Sequence, residues 1–173
     1  MGTFTSTSAY TGITTIQPKE TQMIGFSANS GTSGYNNTNN TGWTVVSDNM
    51  TTVEYNMGGY LDTSTGRFTP NIPGMYLFEF GGWASQNTQT QNNRYGGCFS
   101  KNGSLAYIQG GSFSHADSPL TGATRMIYLN GTGDYVHLYW FQSQTGTLGG
   151  SSHRFWWQGH LINQSNSAVN WTI

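Results

Sequence analysis

Charge is what this chain has least of. Only 8% of its 173 residues are Asp, Glu, Lys or Arg, against about 25% in ordinary soluble domains. Its surface must therefore be made of neutral polar groups. Six basic and seven acidic residues leave a formal net charge of −1, so the electrostatic footprint of a nucleic-acid binder is missing. Aromatic stacking alone would lack the basic groove that tracks phosphates. Neither nucleic acid nor membrane insertion is expected. Cysteine is nearly absent too: Cys98 stands alone, which excludes an intrachain disulfide or a thiolate metal cluster and leaves a small buried hydrophobe as its role. No apolar run reaches membrane-spanning length, and the N-terminus lacks the basic-then-apolar pattern of a secretory signal. If this is the full product, synthesis in a cytoplasm without this export route is expected, which is compatible with arrival outside a cell in a particle released by lysis.

What the chain does have is aromatics, 14% of residues, and 24 glycines. At 173 residues it holds one domain with a core of its own. The clearest pattern lies between Gly66 and Ser85. After a turn at Pro73 and Gly74, Tyr76, Phe78, Phe80 and Ala84 alternate with Met75, Leu77, Glu79 and Trp83. Period-two spacing marks a strand, because successive side chains in an extended chain point to opposite faces. Here both faces are largely apolar. Residues 135–141 repeat this, with Val136, Leu138 and Trp140 against Tyr135, His137, Tyr139 and Phe141. Further strands are expected over 23–28, 43–46, 51–55, 94–101, 105–109, 124–129 and 155–162. Asn102-Gly103 and Asn130-Gly131 each separate two extended runs, and Asn-Gly in that position signals a hairpin. The expected fold is all-β, a two-sheet antiparallel sandwich. Strands apolar on both faces imply that one sheet packs its outer face on further copies of the chain. Residues 1–22 are rich in Thr and Ser, bury too little to fold alone, and are expected to form an extended arm. Residues 23–162 form the domain, and 163–173 a tail.

These residues resemble a known family. Thr65-Gly66-Arg67-Phe68-Thr69-Pro70 followed by Pro73-Gly74-Met75-Tyr76-Leu77-Phe78 is similar to the signature of the C1q globular-head domain, in the tumour necrosis factor superfamily. Gly25-Phe26-Ser27-Ala28, residues 56–61, Lys101-Asn102-Gly103-Ser104, residues 133–138 and Gly159-His160-Leu161-Ile162 follow the family's order. The resemblance implies a ten-stranded jelly roll assembled as a homotrimer. It also implies that one inner sheet, holding the strands at 75–85 and 134–141, faces the threefold axis. Tyr76, Phe78, Val136 and Leu138 would then be core, and Met75, Leu77, Tyr135, His137, Tyr139 and Phe141 trimer interface. Tyr139→Asp would dissociate such a trimer. The chain departs from the family in having no collagen-type Gly-X-Y repeat before the domain, and no cysteine near the Pro-Gly turn. Trimeric domains of this shape with a short polar arm resemble those on bacteriophage virions, as fibre tips or capsid decorations.

Nothing in the sequence assembles into a catalytic site. The carboxylates Glu20, Asp48, Glu54, Asp62, Glu79, Asp117 and Asp134 form no acid pair of the kind that hydrolyses glycosides, and Asp62 and Asp134 sit in turns. His115 and Asp117 are too few for a metal. His137 and His160 lie in apolar strands without a nucleophile motif. Residues 110–114 lack the G-x-S-x-G spacing, and 63–67 lack a phosphate-loop lysine. Asn-x-Ser/Thr sequons at Asn36, Asn39, Asn49, Asn102, Asn130, Asn163 and Asn170 are read as turn chemistry. No catalytic residue, metal or cofactor is therefore expected. The expected function is that of a non-enzymatic trimeric virion protein, a capsid decoration or fibre head attached to a capsid or tail protein through residues 1–22. The rival expectation is a recognition module, a receptor-binding tip or lectin that binds a host-surface glycan or receptor. Tyr35, Trp43, Trp83 and Tyr107 are its stacking candidates. A secreted signalling ligand is disfavoured by the missing export signal.

Overall fold

The computed structural model of the chain describes residues 23–31, 35–37, 42–86, 93–113, 120–142, 146–148 and 155–164. Among these are thirteen strands: β1 (Gly25–Asn29), β2 (Tyr35–Asn37), β3 (Gly42–Val45), β4 (Thr52–Met57), β5 (Leu61–Asp62), β6 (Arg67–Phe68), β7 (Gly74–Gln86), β8 (Asn93–Lys101), β9 (Ser104–Phe113), β10 (Leu120–Leu129), β11 (Val136–Gln142), β12 (Gly146–Leu148) and β13 (Trp156–Gln164). Three more than the expected ten appear because β2, β3, β5, β6 and β12 are pieces of two to four residues. The proposed arm, most of the proposed tail, and His115 and Asp117 lie outside the described residues.

The strands form two sheets. One runs β2-β12-β7-β13-β1-β4, with β10 also paired to β7; the other runs β5-β6-β11-β8-β9, with β3 paired to β11. Every pairing is antiparallel. β7 is the spine of the first sheet and begins at Gly74, directly after Pro73, as the Pro-Gly turn predicts. Its even-numbered residues Tyr76, Phe78 and Phe80 are buried, and they meet Phe26 of β1 and Trp157 of β13 from the same sheet. From the other sheet come Phe68, Phe99, Leu138 and Trp140. Phe68 lies 4.8 Å from Phe26 and 5.8 Å from Phe78, ring centroid to centroid, and Phe99 lies 5.4 Å from Phe80. These tilted and edge-to-face contacts are the geometry aromatic quadrupoles favour. Each ring withdrawn from water contributes about 1.5–3 kcal/mol.

Of the two Asn-Gly turns, the first is the expected hairpin. Asn102 (φ 54°) and Gly103 (φ 83°) join β8 to β9 with Lys101 opposite Ser104, the paired positive φ values of a type I′ turn. The second is a correction. Asn130-Gly131 joins β10, which pairs with β7, to β11, which pairs with β8. It is therefore a crossover between sheets. Asn130 Oδ1 accepts from the amides of Thr132 and Asp134, so the local turn chemistry is present, but it turns the chain from one layer to the other.

The same crossover corrects the expectation that the strands at 75–85 and 134–141 share a sheet. They lie in opposite layers, so their outward residues cannot form one face. Met75 and Leu77 look away from the sandwich on one side. Tyr135, His137, Tyr139 and Phe141 do so on the other.

Asp134 ties the crossover to the hairpin tip. Its carboxylate accepts from Asn102 Nδ2 (2.7 Å) and the Asn130 amide (3.0 Å), and pairs with Lys101 Nζ (2.8 Å). Burial pushes its pKa up, but these three partners outweigh it and hold the carboxyl below its ordinary 3.8. A carboxyl whose folded pKa is depressed contributes stability above its unfolded pKa and loses it as pH falls through the folded value. Acid unfolding should accordingly steepen below pH 3.8. In Asp134→Asn that portion of the acid limb should flatten, as read by urea titrations across the range. Asn102→Ala should cost about 1–2 kcal/mol, because it removes the positive-φ-tolerant residue and two cross-links at once.

Two outward faces as candidate functional surfaces

Among the described residues, the outward face of the seven-stranded sheet carries most of the exposed large apolar side chains. Register places Met126, Leu77, His160 and Met57 in one row across β10, β7, β13 and β4, with Gly25 of β1 between the last two. Beside it Tyr128 is paired with Met75, and Ile162 sits at a bulge next to them. Met126 is 61% exposed and Ile162 49%, although both lie within strands of a folded chain. Trp156 and Tyr55 are also exposed on this side.

One row across this face is polar: Thr124, Glu79, Gln158, Ser27 and Tyr55. Glu79 Oε2 accepts from Gln158 Nε2 at 2.6 Å, and its Oε1 from Thr124 Oγ1 at 3.3 Å. At the β1–β4 bulge, Glu54 accepts from Ser27 Oγ (2.9 Å) and Asn29 Nδ2 (3.1 Å). Burial, together with the nearby Glu54 and Glu79 carboxylates, pushes the Tyr55 phenol up from 10.0.

The outward face of the six-stranded sheet is aromatic but more enclosed. Tyr135, directly before β11, is followed on the same side by His137 and Tyr139 of that strand, with His137 5.1 and 5.9 Å from the two phenol rings. Phe141 packs against Trp43 of β3 at 5.5 Å. Arg67 stands 4.5 Å over the Tyr135 ring. His137 is buried, and its Nε2 lies 3.1 Å from the Thr65 carbonyl, to which it donates. Burial, and next the Arg67 guanidinium, hold its pKa below 6.5. The neutral imidazole is therefore favoured.

The strands that carry the four stacking candidates are divided between the two sheets. Trp43 and Tyr107 belong to the six-stranded sheet, Tyr35 and Trp83 to the seven-stranded one. The side chains of Tyr35, Trp83 and Tyr107 lie outside the described residues. Sequence reasoning missed Met57, Met126, Tyr128, Trp156 and Ile162 on the apolar face. Alternation in 124–129, with Met126 and Tyr128 set against Ile127 and Leu129, was the signal that could have found two of them.

Chemistry of other kinds finds little support among the described residues. No group of three or more His, Cys, Asp or Glu is placed to hold a metal ion. Asp62 is occupied as a turn residue, accepting from the Ser64 amide and hydroxyl and from Thr65 Oγ1. No helix is long and apolar enough to cross a membrane.

Comparison with known proteins agrees with this architecture. No curated protein sequence matches the chain. Among solved structures, the globular domain of zebrafish complement 1qA protein superposes with a TM-score of 0.60 at 15% identity, over 82% of this chain and 99% of that one. An Eiger TNF structure from S. frugiperda matches with a TM-score of 0.48 at 10% identity, over 87% of this chain and 99% of that one. The family model of the C1q domain matches residues 25–162, from the first residue of β1 to within two residues of the end of β13. With four-fifths of its length matched by that model and its two sheets laid out as described, the chain belongs to the C1q domain family.

Proposed function

We propose that the chain is a non-enzymatic module that works as a homotrimer closed through the outward face of its seven-stranded sheet. The observation that carries this is the row of exposed Met126, half-buried Leu77 and exposed Met57, with exposed Tyr128 and Ile162 and half-buried Met75 beside it. A wide apolar patch on a sheet face marks an interaction surface, and C1q and tumour necrosis factor-like domains commonly form homotrimers. Of the residues first assigned to the interface, Met75 and Leu77 stay in this proposal. Tyr135, His137, Tyr139 and Phe141 leave it.

The biological setting we propose is a virus particle, with the trimer as a capsid decoration or fibre head held to a capsid or tail protein through residues 1–22. A surface built of neutral Asn, Thr, Ser and Gly with 8% charged residues supports an exposed structural role. Native mass spectrometry at micromolar chain should give three times the mass of one chain, and a stable monomer would overturn the trimer. Full-length protein should rebind particles stripped of it, and a chain lacking residues 1–22 should not; equal rebinding by both would remove the arm from the proposal.

One observation favours recognition as a second role. Trimer closure on the seven-stranded sheet leaves the six-stranded face outward, with half-buried Trp43, Phe141, Tyr139 and Tyr135 and the Arg67 cation. Glycan-array binding by the trimer that is lost in Trp43→Ala would support it, and an array without signal would leave decoration alone.

A further inference from the structure

We propose that Glu79, held by Gln158 and Thr124 in the middle of the apolar face, makes assembly through that face stronger in acid and weaker towards neutral pH. This rests on the homotrimer reading and adds a regulatory property to the same surface. Glu79 lies on β7, the spine of the sheet, one row from Leu77 and Met126. Both its oxygens are engaged by neutral donors. Such donors orient a carboxylate without cancelling its charge.

The groups facing it from each packed element can be named. From β13 come Gln158 and, one row away, His160; from β10 come Thr124 and Tyr128; from β4 come Tyr55 and the second carboxylate, Glu54. β1 contributes only Ser27 and Asn29, both already donating to Glu54. The one lysine among the described residues, Lys101, stands at the rim, where it pairs with Asp134 and donates to the Tyr128 carbonyl. Arg125 alternates to the Phe78 side of β10. Among the described residues, each copy therefore brings two carboxylates to the face, with the His160 imidazole as the one titratable base within the rows.

Closing three such faces removes water from the carboxylates and brings like charges together. Both effects raise the pKa of a carboxyl in the assembled state above its value in the free chain. Association then takes up protons, and by linkage it strengthens as pH falls through the carboxyl range. The polar row also has a use at neutral pH, since a charged position in an apolar interface penalises registers that would set it against a hydrophobic partner.

The test is the dissociation constant of the full chain by sedimentation at pH 7.5 and pH 5.0. Where assembly persists at nanomolar chain, the half-time of exchange between labelled and unlabelled subunits replaces it. The expected result is at least about tenfold tighter association, or tenfold slower exchange, at pH 5.0, given the several-fold effects that one buried charge exerts. Glu79→Gln keeps the side-chain shape and should associate more tightly than the wild type at pH 7.5, with a smaller change on acidification. His160→Gln should keep the native pH dependence. A pH-independent wild type, a Glu79→Gln chain with the full native dependence, or a dependence that disappears in His160→Gln would each overturn the proposal. A wild type that assembles while Leu77→Asp does not confirms the surface itself, so a flat pH profile would then count against Glu79 alone. A chain monomeric at both pH values overturns the homotrimer reading, and this proposal with it.

Discussion

A Leu77→Asp chain is expected to sediment as a folded monomer under conditions in which the wild type is expected to sediment as a trimer. Leu77 sits between Met126 of β10 and His160 of β13 and points away from the sandwich core. The substitution thus spares the monomer, and its far-ultraviolet circular dichroism should be unchanged. In an assembly closed on this face, three new carboxylates lose water without a cationic partner, and each uncompensated buried charge costs several kcal/mol. Even about 4 kcal/mol in total weakens association roughly a thousandfold. Tyr139→Asp is the informative control. It was expected from sequence to dissociate the trimer, but Tyr139 lies in β11, opposite Cys98 and Val45 in the other sheet. Its mass should stay trimeric. If Tyr139→Asp yields monomer and Leu77→Asp does not, the interface belongs to the six-stranded sheet.

Phe78→Ala is expected to lower the unfolding free energy by about 3–5 kcal/mol, the usual cost of emptying a buried phenyl site. Phe78 is fully buried and lies within 6.5 Å, centroid to centroid, of Phe26, Phe68, Tyr76 and Phe99. Phe68 and Phe99 belong to the opposite sheet, so this one ring spans the layer. Gly159 makes room for it: a Cβ there would lie 2.6 Å from Phe78 Cδ1 and Cε1 and 2.8 Å from Phe26 Cε1. Gly159→Ala alone should therefore cost about 1–3 kcal/mol through overpacking. In the double variant the new methyl occupies space the phenyl has left, and the loss should be smaller than the sum of the two. Guanidinium titrations at one fixed chain concentration measure this, because self-association itself shifts apparent stability. Strict additivity would mean that the two sites do not share a cavity.

Local signals carried most of the fold. Alternation located β7, β11 and β13, and the Asn102-Gly103 pair located its hairpin, because each depends on neighbours in sequence. The sheet to which each strand belongs was not legible. Asn130-Gly131 has the composition of a hairpin turn, and only the partners of β10 and β11, far off in the chain, decide that it crosses layers. That single point divided the proposed interface. Met75 and Leu77 were found because their strand was apolar on both faces. Met57 and Ile162 escaped because their strands are mixed in character, and they join the patch only through register with β1 and β7. Glu79 looked out of place in an apolar strand, and its partners Gln158 and Thr124 come from two other strands, 79 and 45 residues away.

The pairing of β1 with β13 also bears on how the chain is made. Ser30 and Phe155 exchange hydrogen bonds across a separation of 125 residues, and β1 takes its place between β4 and β13. During synthesis β1 leaves the ribosome with one edge unpaired, and waits for β13 before the first sheet can close. A chain stopped short of residue 156 would hold an open edge beside the exposed methionines, a template for pairing between chains. Truncation at the C-terminal end should accordingly yield insoluble protein, with soluble material recovered when a peptide carrying β13 is supplied in trans.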